Sequence, residues 1–169
     1  MLVVGFRGTD PAPDSPIMRA VRQGYVGGVI LFRKDVPTGR IGRNIASPDQ
    51  LRRLTRRLQD AAPRRLLIAV DQEGGQVSRL TPQAGFPERP SATTLADQGP
   101  AATAATARRT AGLLAELGIN WNLAPVVDLA RNPDNPVIAG LNRSFGAGAG
   151  TVARHATAWI RAHREAGVA

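Results

Sequence analysis

The residues best equipped for chemistry stand in one stretch, Asp71-Gln72-Glu73-Gly74-Gly75-Gln76-Val77-Ser78-Arg79, directly after the apolar run LLIAV. An aspartate closing an apolar strand is costly inside a core, but at the strand's carboxyl end it faces the crevice where polar ligands bind. Asp71 and Glu73 are two residues apart and form a candidate carboxylate pair. Strand geometry would put their Cα atoms about 7 Å apart on one face, too loose a match to either glycosidase spacing to be used alone. The alternative for each is a loop-capping carboxylate bonded to backbone amides or to a neighbouring arginine. Gly74-Gly75 permits a sharp turn, yet the phosphate-loop spacings GxGxxG and GxxxxGK[ST] are absent. His155 and His163 lie eight apart, nearly on one face of a helix, and read as helix-surface or helix–sheet residues rather than catalytic groups.

These residues need elements to position them, and the chain alternates apolar β-rich runs with helical periodicity. Strands are expected at Leu2–Phe6, Val26–Phe32, Leu66–Asp71 and Ile119–Asp128. Each is apolar on both sides, as a parallel strand buried on both faces requires. Ser15-Pro16 and Ser47-Pro48-Asp49-Gln50 place serine at N-cap and proline at N1 of helices, and Gln50 completes a capping box. Leu51, Leu54 and Leu58 then face the sheet, while Arg52, Arg53, Arg56 and Arg57 lie on the outer side. An alanine-rich helix ends in Leu113, Leu114 and Leu117, and a later one carries Val152, Ala156, Trp159 and Ile160. Gly24, Gly118 and Gly167 each stop a helix at C′ and precede an apolar run, so Val168 and Ala169 read as the opening of a fifth strand. Eight such units would need roughly 340 residues, which fits a (β/α)₈ barrel with loop insertions. The expectation is an α/β fold, the N-terminal half of a TIM barrel truncated at its fifth strand, forming one partial domain over residues 1–169. A closed, five-stranded doubly wound sheet is the competing architecture. The long loops 72–90 and 129–150 both follow strand carboxyl ends, where function concentrates.

Composition excludes several classes. The chain has 169 residues, no cysteine and 43% hydrophobic residues, which gives a globular core and rules out a disulfide scaffold or a cysteine-ligated metal site. No apolar run approaches a membrane span, and the first residues lack a secretory signal, so a cytoplasmic location is expected. The formal charge of +9 comes almost wholly from arginine, Lys34 being the only lysine. That bias reflects base composition better than a binding surface, and 4% aromatic residues supply a poor stacking platform, so no nucleic-acid partner is expected. No metal or cofactor is implied.

The segments together resemble glycoside hydrolase family 3, in its bacterial β-N-acetylhexosaminidase branch. The Asp71-Gln72-Glu73-Gly74-Gly75 string matches that family's DQEGG signature. MLVVGFRG, GGVILF, LGINWNLAPVVDL and Arg143-Ser144-Phe145-Gly146 agree in family order along essentially the whole chain. The resemblance implies that Asp71, Arg79 and Arg143 bind hydroxyls of the sugar on the non-reducing side of the scissile bond, with Asp128 a weaker candidate that equally could hold the following loop. Two departures stand out: Gln76 replaces an arginine common after DQEGG, and Leu141-Asn142 replaces a common Gly-Glu. The second bears on the orientation of Arg143. The resemblance also implies a Lys-His strand, a histidine acid/base loop and an aspartate nucleophile, none matched within residues 1–169, so this chain alone is expected to be inactive. The implied activity is retaining, exo-acting release of β-linked N-acetylglucosamine. The alternatives are a non-catalytic sugar-binding or decayed half-barrel, or a β-glucosidase-type member. Partners would be a carbohydrate and the missing barrel half, or a second copy at the open edge.

Overall fold

The computed structural model describes residues 2–169. Four parallel strands, β1 (Val3–Gly5), β2 (Gly28–Leu31), β3 (Leu67–Val70) and β4 (Trp121–Asn122), pair in sequence order. Helices α1 (Pro16–Arg22), α2 (Pro48–Ala61), α3 (Ala92–Gln98), α4 (Pro100–Glu116) and α5 (Ala149–Glu165) fill the connections. Strand order never reverses, so there is no switch point and the doubly wound alternative is excluded; a singly wound sheet is the barrel arrangement. Ala169 continues it. Its N–H donates to the Asn120 carbonyl and its own carbonyl accepts from the Asn122 N–H, at 3.0 and 2.8 Å, the alternating pattern of a parallel neighbour to β4.

Local signals act much as the residue types dictate. The Ser15 and Ser47 hydroxyls accept from the N–H groups of Met18 and Gln50 at the starts of α1 and α2. Gln50 departs from a standard capping box: its Oε1 accepts from Ala46 N–H, one residue earlier than expected, while its Nε2 donates to the carbonyls of Thr9 and Asn44. Gly24, Gly118 and Gly167 are all left-handed, with φ of 68, 71 and 71°, and each closes its helix with paired Schellman-type bonds. Val29, Leu31, Ile68 and Val70 point to the helices and bury with Leu51, Leu54, Leu58 and Leu114 in the main core. A second cluster gathers Leu95, Ala107, Phe145, Val152 and Trp159 around α3, α4 and α5.

Two expectations need correction, and one open alternative is decided. The fourth strand is two residues long, not ten. Pro125 has no N–H for a ladder, and the Asn120 and Asn122 side chains bond the backbone of β3 in place of strand peptides. The chain from Leu123 onward is therefore irregular, which removes Asp128 from a strand end. Of the two placements open to the histidines, the buried one is found: His155 and His163 are 2% and 3% exposed, His155 bonded to the Thr103 hydroxyl and His163 to Asn122 of β4. Ile160, by contrast, is half exposed on the outer side of α5. Helix α3 was not anticipated; Gly99, at φ 88°, and Pro100 separate it from the alanine-rich α4.

Candidate active site

Register sets the site. Ile30 and Ala69 share a level with Trp121, and their side chains face away from the helices; one pleat later Phe32 and Asp71 follow on the same face at the carboxyl end of the sheet. Asp71 Oδ2 accepts from Arg79 Nη2 at 2.8 Å, which leaves Oδ1 for a ligand. Arg79 also lies over the Phe32 ring, 5.9 Å from its centroid. The residue between Asp71 and Glu73 explains how Arg79 arrives there. Gln72 is buried, its Oε1 accepts from the N–H groups of Arg79 and Leu80, and its Nε2 donates to the Ser78 hydroxyl. One amide thus folds the loop back on itself and returns Arg79 to the end of β3.

The two glycines make that fold possible. Gly75 N–H donates to the Arg89 carbonyl, and a Cβ on Gly74, at φ 99°, would stand 2.2 Å from the Pro90 carbonyl oxygen. A side chain is excluded by the crossing backbone of residues 89–91, not by solvent-side geometry. Gln76, where the family's common arginine is replaced, is exposed at the tip of this turn and touches neither Asp71 nor Arg79 through any hydrogen bond.

Arg143 comes from the far side, on the loop between β4 and α5. Its Nε and Nη2 donate to the two carboxylate oxygens of Glu73, both at 2.8 Å, a forked pair with Glu73 only 9% exposed. Its Nη1 reaches the Val137 carbonyl at 3.4 Å. Its hydrogen bonds to Glu73, with the charges of Glu73, Asp128 and Asp71, hold the guanidinium above its ordinary pKa against partial burial. Glu73 thus anchors the loop that carries Arg143, while Asp71 pairs with Arg79. Asn142 precedes Arg143 at φ 54°, a left-handed conformation that asparagine tolerates better than most residues. Asp128 is exposed. Its backbone carbonyl accepts from the Ser144 hydroxyl at 2.6 Å, while its side-chain charge adds to the field on Arg143.

Asp71, Arg79 and Arg143 are therefore brought to the carboxyl end of the sheet, with Gln72 orienting Arg79 and Glu73 orienting Arg143, while Asp128 lies exposed on the loop after β4. The pattern described as "Glycosyl hydrolase family 3 N terminal domain" matches residues 2–169. The chain belongs to glycosyl hydrolase family 3. Among relatives of this family 3 domain, a beta-hexosaminidase of Alkalilimnicola ehrlichii is 37% identical over 175 residues, covering 99% of this chain and 46% of that protein. A family 3 beta-N-acetylglucosaminidase of a Paenibacillus species superposes with a TM-score of 0.85 at 37% identity, over 99% of this chain and 30% of that one. NagZ of Neisseria gonorrhoeae, solved with N-trifluoroacetyl-D-glucosamine, superposes with a TM-score of 0.79 at 28% identity, over 98% of this chain and 47% of that one. The family 3 domain described here spans about half the length of the curated relatives it matches. Among the described residues, no cluster of metal-ligating side chains is present, and no helix is long and apolar enough to cross a membrane.

Proposed function

We propose that this chain supplies the sugar-positioning part of a retaining, exo-acting β-N-acetylhexosaminidase that releases β-linked N-acetylglucosamine, a reaction of carbohydrate and peptidoglycan-fragment turnover. The observation that carries the reading is Asp71 paired with Arg79 at the carboxyl end of β3, in a family 3 domain whose relatives include proteins named beta-hexosaminidase. Asp71 Oδ1 would accept from a sugar hydroxyl while Arg79 donates to its neighbour, an arrangement that fixes the ring before bond cleavage. Arg143, with Nε and one Nη2 proton spent on Glu73, keeps donors on its outer edge for the same sugar. In retaining hydrolysis a carboxylate attacks the anomeric carbon, and base-activated water releases the glycosyl-enzyme. We assign neither of those roles to residues 1–169; binding and orientation are this chain's part.

The sheet also exposes Leu2, Val3 and Leu123. On this reading, complementary barrel strands cover that surface, and a lone copy self-associates through it, which size-exclusion chromatography would register. The functional test is titration of the isotope-labelled chain with N-acetylglucosamine, followed at Asp71, Arg79 and Arg143, with glucose as the comparison sugar. Shifts confined to those residues and lost in Asp71→Ala are expected. Equal shifts in Asp71→Ala, or none in the unsubstituted chain, would overturn the reading. Hydrolysis of a chromogenic N-acetylglucosaminide by this chain alone would refute the division of labour.

A further inference from the structure

The buried amide and imidazole behind the Asp71 loop form a connected chain. Asn122 Oδ1 accepts from the Gln72 N–H at 3.0 Å, and Asn122 Nδ2 donates to the Gln72 carbonyl at 3.3 Å. The side chain thus replaces a strand peptide for the residue just after β3. Its second Nδ2 proton points to His163 Nε2, 3.0 Å away. On the other edge of the ring, His163 Nδ1 lies 3.0 Å from the Trp159 carbonyl, which can only accept. The imidazole therefore carries its proton on Nδ1 and accepts at Nε2. Turning the Asn122 amide over would face like groups at both Gln72 contacts, so one orientation satisfies every partner. Gln72, Asn122 and His163 are 1%, 4% and 3% exposed. Burial holds His163 below its ordinary pKa, partly opposed by its bond to Trp159, in keeping with a neutral ring.

We infer that Asn122 and His163 are positioning residues for the Asp71–Arg79 pair, acting through Gln72. The part of this that concerns sugar rests on the function proposed above. Helix α5 orients His163, His163 sets the Asn122 amide, Asn122 holds the Gln72 backbone, and the Gln72 side chain delivers Arg79 to Asp71. No member of this chain other than Asp71 and Arg79 would touch the sugar.

The test is side-chain NMR on the full chain with labelled histidine, arginine and aspartate. Unsubstituted protein is expected to show neutral His163 protonated on Nδ1, and distinct Nη signals for Arg79 because one nitrogen is bound to Asp71. His163→Gln retains an oxygen acceptor for Asn122 and should preserve the Arg79 and Asp71 signals; His163→Leu removes it and should shift both. Asn122→Asp sets a carboxylate against Nε2, so His163 should take up a second proton at neutral pH, a signature that a packing role would not produce. N-acetylglucosamine binding should weaken about tenfold in His163→Leu, the worth of one lost charge-linked hydrogen bond, and stay near the parent value in His163→Gln. A proton on Nε2 in the unsubstituted protein, or Arg79 and Asp71 signals unchanged in folded His163→Leu, overturns the inference. If His163→Leu does not fold, the tautomer and the Asn122→Asp response decide. Absence of any sugar response with the spectral chain intact would overturn the sugar reading alone.

Discussion

Two arginines reach the same site by opposite means. Arg79 sits eight residues after its partner Asp71, on a loop folded back by the buried Gln72 amide and pressed against residues 89–91. Arg143 stands on a long irregular loop, 70 residues in sequence from Glu73, and a single forked ion pair orients it. The loop that delivers Arg79 is folded by neutral hydrogen bonds among near neighbours, whereas the Arg143 guanidinium is oriented chiefly by a charge pair across the fold. A short loop can therefore encode its own geometry in adjacent residues. A long one borrows its anchor from elsewhere, so its order depends on a residue that its own sequence does not reveal.

Substitutions should separate the two. Gly74→Ala would force a Cβ into the Pro90 carbonyl at a positive φ, and we expect a loss of about 3 kcal/mol in urea unfolding, with the Arg79 loop disturbed first. Glu73→Gln keeps the shape and removes the charge; a loss of about 2 kcal/mol is expected, with faster amide exchange and proteolysis confined to residues 129–148. If Glu73→Gln instead loosened the Arg79 loop equally, the two anchors would not be independent.

A third prediction concerns α5, which lies behind both loops. Burial depresses the pKa of His155, with help from Arg154, and of His163. The unfolded chain therefore binds protons near pH 6.5 that the folded chain does not. Stability should be full above that pH and fall progressively below it, with unfolding midpoints at pH 7.5 and pH 5 as the measurement. His163→Gln should flatten part of the slope. The smallest effect belongs to the exposed Asp49–Arg52 pair on α2: Asp49→Asn should cost about 0.3 kcal/mol at low salt, near the resolution of the same assay, because water and ions screen it.

The legibility of the molecule follows the same division. Ser47 before Pro48, the leucines of α2 and the three C′ glycines were readable because caps, periodicity and left-handed turns are set by residues within one helical turn. The motif at Asp71 was legible through its resemblance to the family 3 signature, since its place at a strand end marked only a polar site. The short β4 was not: Asn120 and Asn122 lie in an apolar run, and only contact with β3 shows their amides standing in for strand peptides. For Glu73 two readings stay open in the sequence, a pair with Asp71 or a loop carboxylate on an arginine, since spacing cannot say which arginine meets which carboxylate. The interruption of α3 from α4 at Gly99-Pro100 did carry a local signal, and proline at N1 after a glycine could have marked it.

Sequence by itself determined the alternation of strand and helix, the helix ends and the residue types gathered at the carboxyl ends of the strands, because these depend on interactions over a few residues. Tertiary structure alone decided that the sheet winds without reversal, that Glu73 holds Arg143, and that His163 is buried against Asn122. The two side-chain pairings join groups 40 or more residues apart and the strand pairings join residues 25 or more apart, and all are set by the burial of whole faces rather than by any local preference.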